Sequence, residues 1–148
     1  MKTVSFGYDT MRIGATNLLI VVLTIFLISI AFILNLDDWL FFIPVAAIII
    51  CTARFFIINF SLPAFKDKPA LVLDEEKLIS FVSDVTIYWT GVAKVTVYHL
   101  SGYFLFEMNS GEMFRIGTKW VDGDTSFINT YVQEFMSQAE KKHEVHFH

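Results

Sequence analysis

Leu18–Leu34 reads LLIVVLTIFLISIAFIL, Asn35–Asp38 reads NLDD, and Trp39–Phe60 reads WLFFIPVAAIIICTARFFIINF. The first run carries no charge; the second carries one, Arg54. Each approaches the roughly 20 residues that a helix needs to cross a ~30 Å hydrocarbon core. The short NLDD link leaves room only for an antiparallel turn. The stretch therefore predicts a two-helix transmembrane hairpin over residues 14–60, opened by Gly14, Ala15, Thr16 and Asn17. A cleaved leader would have a shorter apolar core and a small-residue cleavage site. Here two aspartates and a second apolar run follow instead.

Composition agrees with this reading. The chain is 148 residues, 55% hydrophobic, with 16 Phe and a positive mean hydropathy, which is too apolar for an ordinary soluble domain. From Lys66 onward apolar and polar residues interleave. That part carries eight Lys/Arg against twelve Asp/Glu and is formally −4, while the rest is neutral. An acidic domain lacks the Lys/Arg surplus that nucleic-acid affinity requires, nor does it present a broad basic face to anionic lipid. The single cysteine, Cys51, falls in the second apolar run, so no internal disulfide and no thiolate zinc cluster is available.

Basic residues set the expected orientation. Lys2 and Arg12 precede the first span, and Arg54, Lys66 and Lys68 lie at or beyond the end of the second. The intervening link has none. Both ends are expected in the cytoplasm, at the inner face of a cytoplasmic membrane. Arg54 is expected to snorkel to the inner headgroups. Its functional alternative is a charge lining a pathway. Ala46, Ala47 and Ala53 are small enough to invite close helix packing and dimerisation.

Around the hairpin, residues 1–13 read as an N-terminal arm, with Val4, Phe6, Tyr8 and Met11 placed in the membrane interface. Residues 61–69 read as a linker whose Pro63 and Pro69 stop the helix and favour extended backbone. Beyond it, short strands alternate with tight turns: Ala70–Leu73, Lys77–Val82, Thr86–Trp89, Lys94–Leu100, Tyr103–Met108 and Glu112–Ile116. The turns are Asp74-Glu75-Glu76, Ser83-Asp84, Ser101-Gly102 and Asn109-Ser110-Gly111. This is the pattern of an antiparallel meander. Asp122-Gly123-Asp124-Thr125 then supplies turn chemistry and a helix cap. Phe127, Ile128, Tyr131, Val132, Phe135 and Met136 recur with helical spacing. Lys141 and Lys142 sit at its C-terminal end, where positive charge is favourable. A curved sheet closed by one amphipathic helix is an α+β domain, placed at 70–140, with 141–148 as a flexible tail.

Several of these features together resemble a known family. The paired spans, the Pro69–Glu76 strand and turn (PALVLDEE), the short strand carrying Trp89 and the Tyr131–Phe135 helix (YVQEF) are similar to small bacterial two-span membrane proteins with a bacterial PH-like domain. The resemblance covers about Leu18 to Met136. It implies a PH-like antiparallel barrel or sheet capped by its C-terminal helix, and a tethered binding or scaffolding module rather than an enzyme. The basic first hairpin turn of phosphoinositide-binding PH domains has no counterpart, because Asp74-Glu75-Glu76 stands there.

Candidate chemistry is sparse. His143, Glu144, His146 and His148 offer imidazoles but no scaffold, and read as a solvated tail. Asp122-Gly123-Asp124 reads as a turn and cap rather than a metal–phosphate motif. Gly117-Thr118-Lys119 lacks the upstream glycine of a phosphate loop. No Gly-x-Ser-x-Gly elbow accompanies His99. No catalytic residue, metal or cofactor is therefore expected. Alternation directs Phe104, Phe106 and Met108 inward and Tyr103 and Leu105 outward, so that Tyr98, Tyr103, Leu105 and Trp120 form a candidate partner surface. The expected function is a membrane-anchored module that engages protein partners or itself. The alternative is an accessory subunit or small oligomeric component of a transport system that uses Arg54.

Overall fold

The computed structural model describes residues 2–33 and 39–145. The link at 34–38, His146 and His148 lie outside the described residues. Helix α1 runs Thr10–Ile33 and α2 runs Trp39–Phe56, and both are long and apolar enough to cross a membrane. Only 6% of each apolar window is buried, so neither window lies in the core of this chain. Asn17, Ile20 and Thr24 of α1 and Val45, Ile49 and Ala53 of α2 are partly shielded, and Ile13 and Phe56 are buried. Pro44 lies inside α2, in its second turn, where it removes one N–H from the helix ladder.

Both helices extend past their expected limits, for local reasons. α1 begins at Thr10 rather than Gly14 because Asp9 caps it: its carboxylate accepts from Arg12 N–H at 2.9 Å and its carbonyl accepts from Ile13 N–H at 3.0 Å. Beyond α2 the chain continues through a π-helical turn, Ile57–Ser61, into a further helical turn, α3 (Leu62–Phe65). Pro63 has no N–H and its ring would press on the carbonyl four residues back. The widened turn, in which Leu62 N–H donates to Ile57 C=O, accommodates it without ending the helix. Pro63 therefore does not stop the helix as expected, and the chain turns only at Lys66–Asp67, where Asp67 adopts φ 50°.

The N-terminal segment is not a separate arm in the membrane interface. Strand β1 (Val4–Phe6) pairs antiparallel with β2 (Leu71–Leu73), Val4 opposite Leu73 and Phe6 opposite Leu71. Phe6 and Tyr8 are buried in the core, and Met11 alone of the four apolar residues stays exposed. Physically, an extended Val-Ser-Phe with one apolar face gains more from an open sheet edge plus burial than from the headgroup layer. The helical hairpin is thus inserted between two neighbouring strands of one sheet.

Among the described residues the strands form two antiparallel sheets. The first is β1-β2-β3-β4, with β3 at Lys77–Ser80 and β4 at Val85–Tyr88; the second is β5-β6-β7, at Val92–Tyr98, Tyr103–Met108 and Met113–Gly117. Neither sheet closes on itself among those residues. Helix α4, Thr125–Val145, packs across them. It runs past the expected end at 140, through His143, because Ala139, Glu140, Lys141 and Lys142 are good helix formers and the lysines suit the C-terminal dipole. Leu71, Leu73, Leu78 and Ile87 from the first sheet, Phe104, Phe106 and Ile116 from the second, and Ile128, Val132 and Phe135 from α4 are buried together. Met108, expected inward, is half-buried, and Phe127 lies on the rim.

Trp89 fixes one end of this core. It is buried in a 3-10 turn (Trp89–Gly91), lies parallel to Phe135 at 6.3 Å, and donates its indole N–H to Asp74 C=O at 2.7 Å. Asp74 in turn builds the acidic turn, its carboxylate accepting from the N–H groups of Glu76 and Lys77 at 2.8 Å each.

Candidate functional site

Cross-strand register assembles three of the four candidate surface residues. Tyr98 faces Tyr103, Thr96 faces Leu105, and Leu105 faces Arg115. Directly opposed side chains on one sheet face are close enough to interact. The Tyr98 and Tyr103 rings stack at 4.5 Å and 16°, and the Arg115 guanidinium lies 3.9 Å above the Tyr103 ring. A guanidinium over an aromatic face contributes roughly 0.5–1 kcal/mol at an exposed site. The result is a three-layer ladder, Tyr98–Tyr103–Arg115, with half-buried Leu105 beside it. Arg115 is missing from the sequence reading. The signal that finds it is the Asn109-Ser110-Gly111 hairpin turn, which fixes the β6–β7 register and places Arg115 outward, opposite Leu105.

Trp120 lies elsewhere. Its ring contacts Phe56 and Phe60 at 5.2 Å each, with the Lys119 ammonium 5.7 Å from its centroid. It follows the last strand, so alternation gives no account of its direction. Around it the hairpin is clamped to the domain. Asp9 N–H donates to Trp120 C=O at 2.9 Å, Asp122 N–H donates to Gly7 C=O at 2.8 Å, and Tyr8 bridges Val121. The Arg12 guanidinium donates to Lys119 C=O at 2.6 Å and pairs with the Asp9 carboxylate at 3.3 Å. Between the helices, the Asn17 amide donates to the Ser61 hydroxyl at 3.0 Å. Burial of Tyr8 pushes its phenol above the ordinary value of 10.0.

Arg54 is exposed on α2, next to the partly shielded Ala53, and neither apolar helix contains an acidic residue. Among the described residues no group of three or more His, Cys, Asp or Glu could hold a metal ion. Asp122-Gly123-Asp124 serves as the turn into α4: Gly123 takes φ 106° and Asp124 C=O accepts from Ile128 N–H at 3.0 Å. His99 Nδ1 meets the Ser126 hydroxyl at 3.2 Å, both exposed, so this contact fastens the β5–β6 turn to the start of α4. The acidic Asp74-Glu75-Glu76 turn is formed as expected, and Lys2 N–H donates to the Glu75 carboxylate at 3.2 Å.

No protein-family model, curated protein or solved structure matches the chain.

Proposed function

We propose that this chain is a membrane-anchored PH-like module, a binding rather than catalytic protein, that docks a protein partner or a second copy at the inner face of a cytoplasmic membrane. The observation that carries this reading is the Tyr98–Tyr103–Arg115 ladder with Leu105 on an outward sheet face. Aromatic and arginine side chains on a rigid platform are the residue types that anchor protein interfaces. A four-stranded sheet, a three-stranded sheet and a C-terminal helix, in that order, are what a PH-like fold would present. The membrane location rests on two lipid-length helices with exposed apolar flanks. The shared side for both termini is supported by β1–β2 pairing, since a chain that leaves and re-enters one sheet has crossed any bilayer an even number of times. Lys2, Arg12, Lys66 and Lys68 at those ends favour the cytoplasmic side. Tethering raises the local concentration of such a module for partners in the same membrane.

The test is a photocrosslinking amino acid at Leu105 in native membranes, with Thr86, exposed on the other sheet, as control. An adduct specific to Leu105 and lost with Arg115→Ala is expected. A doubled mass of the 17.0 kDa chain identifies self-association; a different mass identifies another protein. Monomer alone at Leu105 in correctly inserted protein overturns the proposal.

A further inference from the structure

The two ends of the domain differ in chemistry, and the chain path says which end faces the helices. β1 runs toward α1, and Ala70 at the start of β2 hydrogen-bonds Phe6 C=O, so Phe6 and Ala70 mark the helix-proximal end. Strands then alternate in direction. The turns after β2 and β6, Asp74-Glu75-Glu76 and Asn109-Ser110-Gly111-Glu112, therefore lie at the far end. Those after β3, β5 and β7 lie at the near end.

Hydrogen bonds confirm the near-end group. Phe81 N–H donates to Ala70 C=O at 2.9 Å, the Ser83 hydroxyl accepts from Gly117 N–H at 3.3 Å, and Thr118 N–H donates to Gly102 C=O at 2.8 Å. Lys119 and Trp120, which follow, are the residues that bind Arg12 and pack on Phe56 and Phe60.

The far turns carry Asp74, Glu75, Glu76 and Glu112; exposed acids at the near end include Asp84, in the β3–β4 turn, and Asp122, whose N–H donates to Gly7 C=O. The near turns carry two large apolar residues that fold into nothing: Phe81 at 53% exposure and Leu100, fully exposed at the tip of the β5–β6 turn. Hairpin tips ordinarily take polar residues. Met11 and Phe65, at the foot of the helical hairpin, are 86% and 87% exposed at the same end. Lys66 and Lys68 follow Phe65 in the chain with Asp67 between them, Lys119 is held at this end by Arg12, and the stacked Tyr98–Tyr103 pair flanks the Leu100 turn. Apolar tips with tryptophan and lysine at the same end are the composition of a headgroup-level belt, while the tyrosine pair stays on the sheet face assigned to the partner.

We propose that the β3–β4 and β5–β6 turns are a second bilayer contact, with Phe81 and Leu100 entering the headgroup–acyl boundary of the membrane that holds the helices. The domain then lies against the lipid surface instead of standing off it, with the Asp74-Glu75-Glu76 turn pointing away. This rests on the reading that α1 and α2 span a bilayer.

Single cysteines in a Cys51→Ser background, labelled with the environment-sensitive NBD fluorophore, test it in the full chain reconstituted in phosphatidylcholine–phosphatidylglycerol vesicles. Label sites are F81C, L100C, S110C at the far end, and I25C in α1. Expected results are blue-shifted emission, quenching by shallow nitroxide lipid and protection from iodide at 81 and 100, against iodide quenching at 110. Iodide quenching at 100 equal to that at 110, with position 25 still quenched by lipid, overturns the second contact alone. Iodide access at position 25 overturns the spanning reading and the contact with it. Leu100→Asp, far from the core, should transfer the Phe81 label toward the aqueous signature without unfolding the domain.

Discussion

Removing the Phe6 ring gives the sharpest test of how the N-terminus is used. Phe6 is 7% exposed and meets Phe127 edge-on at 6.2 Å and Tyr131 at 5.7 Å, while Phe6 C=O accepts from Ala70 N–H. Phe6→Ala deletes a buried ring and leaves a cavity, which costs roughly 3–5 kcal/mol. Because β1 is a short edge strand that can partly collapse inward, the lower end, about 3 kcal/mol, is expected. For a domain of this size each kcal/mol moves the melting point by roughly 4–8 °C, so a fall of more than about 10 °C follows. The assay is thermal and urea unfolding of the full chain in detergent or nanodiscs, read from amide exchange of β2 and β3. Ser5→Ala, on the exposed side of the same strand, should change stability by less than about 0.5 kcal/mol. A loss below about 1 kcal/mol for Phe6→Ala, or one equal to that of Ser5→Ala, would refute the docking of β1 and return the segment to the membrane interface.

Trp89→Phe keeps the ring against Phe135 but orphans the Asp74 carbonyl, so a loss of about 1–3 kcal/mol in urea unfolding is expected. Tyr8 has a raised phenol pKa, so its contribution is fully present below pH 10.0 and is lost as pH rises past it. Tyr8→Phe should flatten that alkaline decline in a pH series of melting points. Trp120→Ala removes the ring between the domain and Phe56 and Phe60, and should broaden spin-label distances between α1 and α4 while amide exchange within β5–β7 stays unchanged. Arg54→Leu should leave insertion and the Leu105 crosslink intact; loss of the protein's function in cells with insertion and crosslink unchanged would favour the transport alternative.

Much of this fold was legible where one local period rules the chain. The Leu18–Leu34 and Trp39–Phe60 runs, the Tyr103–Met108 alternation and the Ile128–Phe135 spacing each state their environment directly. What escaped depends on distant partners. Val4–Phe6 resembles any short apolar stretch until Leu71–Leu73, more than sixty residues on, offers an edge. Pro63 obeys the rule that proline disfavours a helix, and the wider Ile57–Ser61 turn evades it. Tyr98, Tyr103 and Leu105 followed from alternation, whereas Trp120, past the strand end, turned to the helices instead.

The placement of the hairpin between β1 and β2 also bears on biosynthesis. As the chain emerges, β1 is made first yet has nothing to pair with until both spans have left the ribosome and Leu71–Leu73 follows. On the proposed spanning reading, a molecule that inserted only one helix would strand its first sheet segment across the bilayer from its mate, with Phe6 and Tyr8 uncovered. Faulty insertion would thereby become an unfolded domain, open to proteolysis.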